Sequence, residues 1–390
     1  MKKILFAAFA ATLLAAGCQK TEIVGTTPVN GPEMTFSTEM KKITKADETT
    51  NEGTATLQDQ GFNLWAYAAY SLENITNVDA TSRIYDGMKA MNLVYGEGPW
   101  TPSPFKDYYW PGQNKDLRFF AVSGIKGNNA SMLNNTNLIN HGIAEADDHT
   151  ITKTSPSMTI TDFVVNGTDD LMVADFIEQN QAENDRVVKL NFHHALSKIE
   201  FFFKATIPKD ADIDVYVQKI EVKDLKTKGT LNATTTGDFT DKFSEPVSLN
   251  WGAEETKSTP ADFSKVSDQA YTGEVELVKE GETTIYSDKF ATIIDPVTTA
   301  STPLSFAKWL MLPQTITNKL VEIIYIIGNR QFKAVFPLDA STSTTGATVS
   351  EWAINQYIKY TINLSPNMIT FDAEVETDWQ EQVPGVDHIN

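Results

Sequence analysis

Apolar and polar residues alternate with a period of two in segment after segment of this chain, and that period limits each segment to a strand with one buried face. Residues 33–40 are the clearest case: Met34, Phe36 and Met40 fall on one face, Glu33, Ser37 and Glu39 on the other. The same alternation recurs over 62–70, 117–122, 187–196, 199–207, 358–364 and 369–375. Between these segments lie turn-forming clusters such as Gly96-Glu97-Gly98-Pro99, Gly127-Asn128-Asn129 and residues 341–346. Helical periodicity is weak; residues 82–93 and 305–312 are the best candidates for short helices, and the polar stretch 47–60 reads as an exposed loop. Many strands with sparse helix predict an all-β fold of sandwiches or barrels in place of alternating βαβ units.

The first segment has a different character. Lys2 and Lys3 precede an apolar run, 4–16, broken only by Thr12. About 20 residues are needed to span a bilayer, so this run reads as the core of a signal peptide. It closes in Leu14-Ala15-Ala16-Gly17-Cys18, small residues ending at the single cysteine of the 390-residue chain. That ending resembles a bacterial lipobox, in which the thiol is diacylated and becomes the first residue of the mature protein; Ala15 stands where leucine is commoner. Cys18 would then anchor the body to a membrane surface through lipid alone. A lone cysteine also excludes a disulfide framework and any multi-cysteine metal site.

Residues 19–32 are polar and carry Gly25, Pro28, Gly31 and Pro32, a flexible tether. Beyond the tether, the uniformly polar stretch 178–186 divides the chain into two parts of domain size. The expected organisation is a signal peptide at 1–17, a lipidated tether at 18–32, an N-terminal β-sandwich domain at 33–182 and a C-terminal β-sandwich domain at 183–390.

Charge excludes one large class of function. The net charge is −19, and loss of residues 1–17 removes two lysines and no acid, leaving −21. Such a balance repels nucleic-acid phosphate and anionic headgroups. Catalytic signatures are missing as well: there is no G-x-S-x-G, no P-loop and no G-x-G-x-x-G. His193 and His194 are adjacent on a strand, point to opposite faces and cannot chelate one ion, so they read as structural. His141, His149 and His388 are isolated in polar loops. Asp169-Asp170 and Asp210, Asp212 and Asp214 do not match the twelve-residue calcium loop and read as solvated turns. Trp65, Tyr67, Tyr70, Tyr108, Tyr109 and Trp110 have the chemistry to stack on sugar rings, but on alternating strands they are expected in the core. No catalytic residue, cofactor or metal is predicted.

Several stretches, spread in order over nearly the whole chain, together resemble the fimbrillin family, the type V pilins of Gram-negative anaerobes. They are the lipobox at Cys18, the strand Met34-Thr35-Phe36 with its basic loop, and Asp107-Tyr108-Tyr109-Trp110-Pro111 leading to Leu117-Arg118-Phe119-Phe120-Ala121. To these are added Asp170-Leu171-Met172-Val173-Ala174, Leu190-Asn191-Phe192-His193-His194-Ala195-Leu196-Ser197-Lys198-Ile199, and Tyr357-Ile358-Lys359-Tyr360-Thr361-Ile362-Asn363-Leu364 before Trp379.

The resemblance implies two tandem transthyretin-like β-sandwiches, exported as an outer-membrane lipoprotein and assembled into an extracellular fimbrium. It implies that a trypsin-like protease removes the first strand, and that a strand from another pilin subunit refills the groove by β-strand addition. Here the displaced strand would be the one carrying Met34, Phe36 and Met40, and Lys41, Lys42 and Lys45 would be the processing sites. Arginine is the better-known cleavage residue of the family, yet the first arginine here is Arg83. The tail after Trp379 contains Pro384 and Gly385 and makes a poor inserting strand. If residues 369–375 stay in the C-terminal domain, the subunit accepts a strand without donating one, which favours a tip or accessory role; if they are the donor, the subunit belongs to the stalk. The alternative from another class is a surface glycan-binding lipoprotein of a nutrient-uptake system, with a lipid-anchored glycosidase behind it.

Overall fold

The computed structural model of the chain describes residues 31–40, 52–96, 99–206, 213–235, 244–252, 261–267, 276–277, 292–294, 303–340, 342–343, 348–365 and 369–376. Strands dominate them, in several sheets, and the chain is all-β as its period of two predicts.

The largest sheet has nine strands. In spatial order it runs Thr35–Met40, Val187–His194, Met172–Ala174, Leu117–Ser123, Phe62–Ala68, Met91–Tyr95 and Trp100–Pro102; Phe176–Gln179 lies between Leu117–Ser123 and Ser244–Glu245. Leu117–Ser123 is buried along its whole length. Leu117, Phe119 and Ala121 enter one apolar core, while Phe120 and Val122 enter another. A strand covered on both faces tolerates an unbroken apolar run, which is why this one is so rich in aromatic and aliphatic residues.

One face of the nine-stranded sheet packs on a four-stranded sheet, Ser248–Trp251, Lys228–Thr234, Ser157–Val164 and Ile139–Asn140. Met158, Ile160, Leu231 and Ala233 of the smaller sheet meet Phe120, Val122 and Val173 of the larger. The opposite face is covered by the long excursion 70–110, through Tyr85, Met88, Trp100, Tyr108 and Trp110, and by the α-helix Glu52–Gln60, through Leu57.

Later strands build a second pair of sheets. One is Leu304–Met311, Ser197–Ala205, Tyr357–Leu364, Ile369–Glu376 and Thr342–Ser343. The other is Ala261–Val266, Val215–Leu225, Leu320–Ile327, Arg330–Pro337 and Glu276–Leu277, with Thr292–Ile294 also on Val215–Leu225. Phe201, Tyr360 and Phe371 stack across three neighbouring strands at 5.1 and 5.0 Å, and Phe371 meets Phe336 of the opposing sheet at 4.8 Å. One continuous apolar cluster joins this pair of sheets to the first.

Three local expectations differ from what is observed. The stretch read as an exposed loop contains the helix Glu52–Gln60, which buries Leu57 completely. It ends because Gly61 takes φ +70°, where a Cβ would stand 2.6 Å from the Leu93 carbonyl oxygen. Residues 82–93 form no helix; they are turns that bury Tyr85 and Met88 before entering the strand Met91–Tyr95. Residues 305–312 lie mostly in the strand Leu304–Met311, where Ala307, Trp309 and Met311 are buried at alternate positions. The polar stretch 178–186 connects two strands of the same sheet, and Lys228–Thr234 pairs with Ser157–Val164, so strand pairing crosses residue 182 in both sheets. No helix among the described residues is long and apolar enough to cross a membrane.

Candidate assembly site

The first strand, Thr35–Met40, lies at one end of the nine-stranded sheet and, among the described residues, pairs with a single neighbour. That pairing is parallel to Val187–His194, from Thr35 opposite Val187 to Met40 opposite Phe192. Every other pairing of this sheet is antiparallel. Just before the strand, the chain is held on a second partner. The Met34 N–H donates to the Tyr108 carbonyl at 2.7 Å, the Trp110 N–H to the Pro32 carbonyl at 3.0 Å, and the Gly31 N–H to the Trp110 carbonyl at 2.6 Å. Gly31 has no room for a side chain here, since a Cβ would meet the Trp110 carbonyl oxygen at 2.8 Å.

The inward face is apolar at its start. Met34 and Phe36 are each 5 % exposed and sit over Leu57, Val188, Leu190 and Phe192, while Thr35 and Glu39 face outward. Burying two such side chains contributes roughly 3–6 kcal/mol before entropy costs. Thr38 shares this inward face and makes its polar contact: the Trp100 Nε1–H donates to Thr38 Oγ1 at 3.0 Å. Trp100 belongs to Trp100–Pro102, the last strand at the other end of the same sheet, so the sheet curls until its two end strands touch. The Trp100 ring packs edge-on against Phe62 at 4.8 Å, and Phe62 meets Phe192 at 5.3 Å.

Polar groups behind this groove are tied into the framework. Arg118 is fully buried on the central strand. Its Nε donates to Glu178 Oε2 at 2.7 Å, and one terminal nitrogen donates to the carbonyls of His141, Gly142 and Thr154. Lys153 contacts the other Glu178 oxygen. Arg83 bridges Glu145 at 2.9 Å and donates to the carbonyls of Ala68 and Tyr70. Burial opposes ionisation of Glu145, but hydrogen bonds from Arg83, His149, Ser71 and the Leu72 N–H prevail and hold its pKa at about 2. The His141 ring is pushed down to about 4, first by burial and then by the charges of Arg83 and Arg118. Trp110 is fully buried, its indole N–H donating to the Arg186 carbonyl at 3.2 Å. These residues brace backbone.

Cys18, Lys41, Lys42 and Lys45 lie outside the described residues; of Met40 only the backbone is described, paired with Phe192. His193 and His194 take separate partners, Nε2 of the first at 2.7 Å from Asp175 and Nδ1 of the second at 2.7 Å from Asp170. Asp170 is therefore a buried partner of His194 and not a solvated turn residue. Asp169 does sit in a turn, accepting from Asn166. His149 contacts Glu145, and His388, Asp210 and Asp212 lie outside the described residues. Among the described residues no cluster of three or more His, Cys, Asp or Glu is placed to hold a metal ion. Of the six aromatics with sugar-stacking chemistry, Trp65, Tyr67, Tyr70, Tyr108 and Trp110 are buried and Tyr109 is half-buried. Trp100 and Leu57 escaped sequence reasoning. The only signal for Trp100 was its position directly after the turn residues 96–99, and Leu57 is a single apolar residue in a polar stretch.

The body is all-β, its buried charged residues brace its own backbone, and a half-buried strand is laid along the end of its largest sheet. The sequence profile of the fimbrillin-like family matches residues 44–379, and the chain belongs to that family. It is accordingly a fimbrial subunit of the cell surface, structural in role. Solved structures to which the chain is similar include a fimbrial protein from Bacteroides vulgatus, 14% identical, covering 89% of this chain and 99% of that one with a TM-score of 0.49. Candidate cell adhesion proteins from Bacteroides uniformis and Bacteroides ovatus are each 13% identical. They cover 89% and 90% of this chain and 98% of each of theirs, with TM-scores of 0.43 and 0.41. No functionally curated protein matches the chain.

Proposed function

We propose that this fimbrial subunit is exported as a lipoprotein anchored through Cys18, and that it matures by proteolytic loss of its first strand after Lys41, Lys42 or Lys45. A strand of another pilin subunit then enters the vacated place. The observation that carries this reading is the position of Thr35–Met40: an end strand on one ladder, with Met34 and Phe36 buried beneath it. Its departure would leave the backbone groups of Val187–His194 unpaired and an apolar groove open, a combination that recruits another strand.

The subunit is proposed to accept a strand without donating one, in a tip or accessory position. Ile369–Glu376 supports this, since it is paired along its length with Tyr357–Leu364 and on its other side with Thr342–Ser343. The partner implied is a different pilin.

Mass spectrometry of the mature N-terminus, on protein taken from the cell surface, tests the reading. A start at Lys42, Ile43 or Ala46 is expected for assembled protein. If fimbria-bound protein begins only at a lipidated Cys18, processing is overturned and the subunit is a lipid-bound anchor.

A further inference from the structure

We propose that Trp100 sets the register of the strand this groove accepts, by demanding a hydroxyl at the position Thr38 now fills. The inference rests on the strand-exchange reading above and names the chemistry of the partner segment. Along the inward face the chain presents Met34, directly ahead of the strand, then Phe36 and Thr38 within it, at alternate positions. The first two occupy apolar sites. The third stands opposite Leu190 and accepts the indole hydrogen of Trp100 at 3.0 Å. Trp100 is only 5 % exposed and is fixed by Phe62 on one side and Tyr95, ring centroids 5.2 Å apart, on another. It cannot swing its N–H to solvent without leaving that packing.

The groove therefore has two greasy places and one polar one in a fixed order. With the first strand gone, water can serve the indole. Once another strand closes the groove, water is excluded, and the N–H is left unpaired unless that strand brings an acceptor. A segment running parallel to Val187–His194, as the first strand does, must read apolar-x-apolar-x-hydroxyl. A slip of two residues puts an apolar group against the indole and the hydroxyl in an apolar site, so one contact penalises the wrong register twice. The chain's own last described strand fails the rule, since Ile369 and Phe371 are followed at the next alternate position by Ala373. The occupant committed to here is a strand from a different pilin, carrying Thr or Ser two residues after its second buried apolar residue.

The test uses the full chain with a specific protease site in place of residues 46–50, cut once. Labelled peptides of the sequence of residues 31–40 are added, and their binding is followed by fluorescence polarisation. Four are compared: the native peptide, Thr38→Ser, Thr38→Val, and the native residues in reverse order. The native and Thr38→Ser peptides are expected to bind alike, and the Thr38→Val and reversed peptides about tenfold more weakly, the penalty of one buried unpaired donor. In the Trp100→Phe protein, Thr38→Val should bind as well as the native peptide. Equal binding of Thr38→Val and native peptide to the unsubstituted protein overturns the register rule and leaves strand exchange standing. So does discrimination that persists after Trp100→Phe. Failure of every peptide to enter the cut protein overturns both.

Discussion

His141 shows how a residue without catalytic work can still set the conditions under which the protein holds together. Its Nδ1 accepts the Ile143 N–H at 3.1 Å, its carbonyl accepts from buried Arg118, and its ring lies 4.8 Å from that of Tyr67. Protonation would abolish the acceptor and place a cation beside Arg83 and Arg118. Burial, which disfavours the charged ring, is the first cause of its fall from 6.5 to about 4, and the charges of Arg83 and Arg118 add to it. The unfolded chain binds the proton more readily than the folded one. The contribution is therefore complete above pH 6.5, is lost as pH falls from 6.5 towards 4, and is level below that. A shift of this size is worth up to about 3 kcal/mol, less for the screening that a half-buried ring retains. His141→Asn keeps a side-chain acceptor two residues before Ile143 and cannot titrate. Urea unfolding at a series of pH values should show the variant losing less stability than the parent between pH 6.5 and 4. Below pH 4 the two should fall in parallel, because Glu145 of the unfolded chain takes up a proton that the folded one resists down to about 2. Little of this was legible in the sequence. Arg118 reads as one residue of an alternating strand, because the carbonyls that surround it come from 23 to 36 residues further along. The separation of His193 from His194 was legible, since strand geometry alone decides it.

At the scale of elements, the strands whose alternation is strict were the ones the sequence revealed. Met34 and Phe36 are buried with Thr35 exposed between them, and Tyr357–Leu364 repeats the pattern with Tyr360, Ile362 and Leu364. The helix Glu52–Gln60 was hidden because its visible apolar content is one residue, Leu57, and tertiary contact with Thr35–Met40 and Met91–Tyr95 holds it in place. The pairing of the first strand with a segment about 150 residues distant was equally hidden, because the alternation of a strand does not name its neighbour. On the proposed reading that strand is the element that leaves, and its hold can be weakened alone. Phe36→Asp places a carboxylate in the apolar core and should cost about 3 kcal/mol or more, a penalty falling mainly on the edge. Ser37→Asp, on the outer face, should cost little. Hydrogen exchange is expected to rise in the Phe36→Asp protein along Val187–His194 and over residues 31–40, with trypsin cutting at Lys41, Lys42 or Lys45 at least tenfold faster. Unchanged protection in that variant would show that the first strand contributes nothing to the sheet.

Over the whole molecule the first and last described strands are held differently, and on the proposed reading that difference sets how copies join. Near its beginning, Thr35–Met40 rests on one ladder and closes a sheet curled upon itself, so it can leave without dividing any sheet in two. Near the end, Ile369–Glu376 lies between Tyr357–Leu364 and Thr342–Ser343, with Phe371 stacked on Tyr360 and set against Phe336. Drawing it out would break ten residue pairs, eight with Tyr357–Leu364 and two with Thr342–Ser343, and open the core of its sandwich. A place can thus be vacated at one end while no strand is released at the other. Loss of residues 1–45 leaves a net charge of −22, which adds long-range repulsion between identical copies at low salt. Protein cut after Lys45 and freed of its first strand should therefore remain monomeric by light scattering at all salt concentrations. It should form denaturant-resistant complexes only when a second pilin supplies the strand. A ladder of denaturant-resistant oligomers from the cut chain alone would show that Ile369–Glu376 is surrendered after all, and would make this a stalk subunit that both receives and gives.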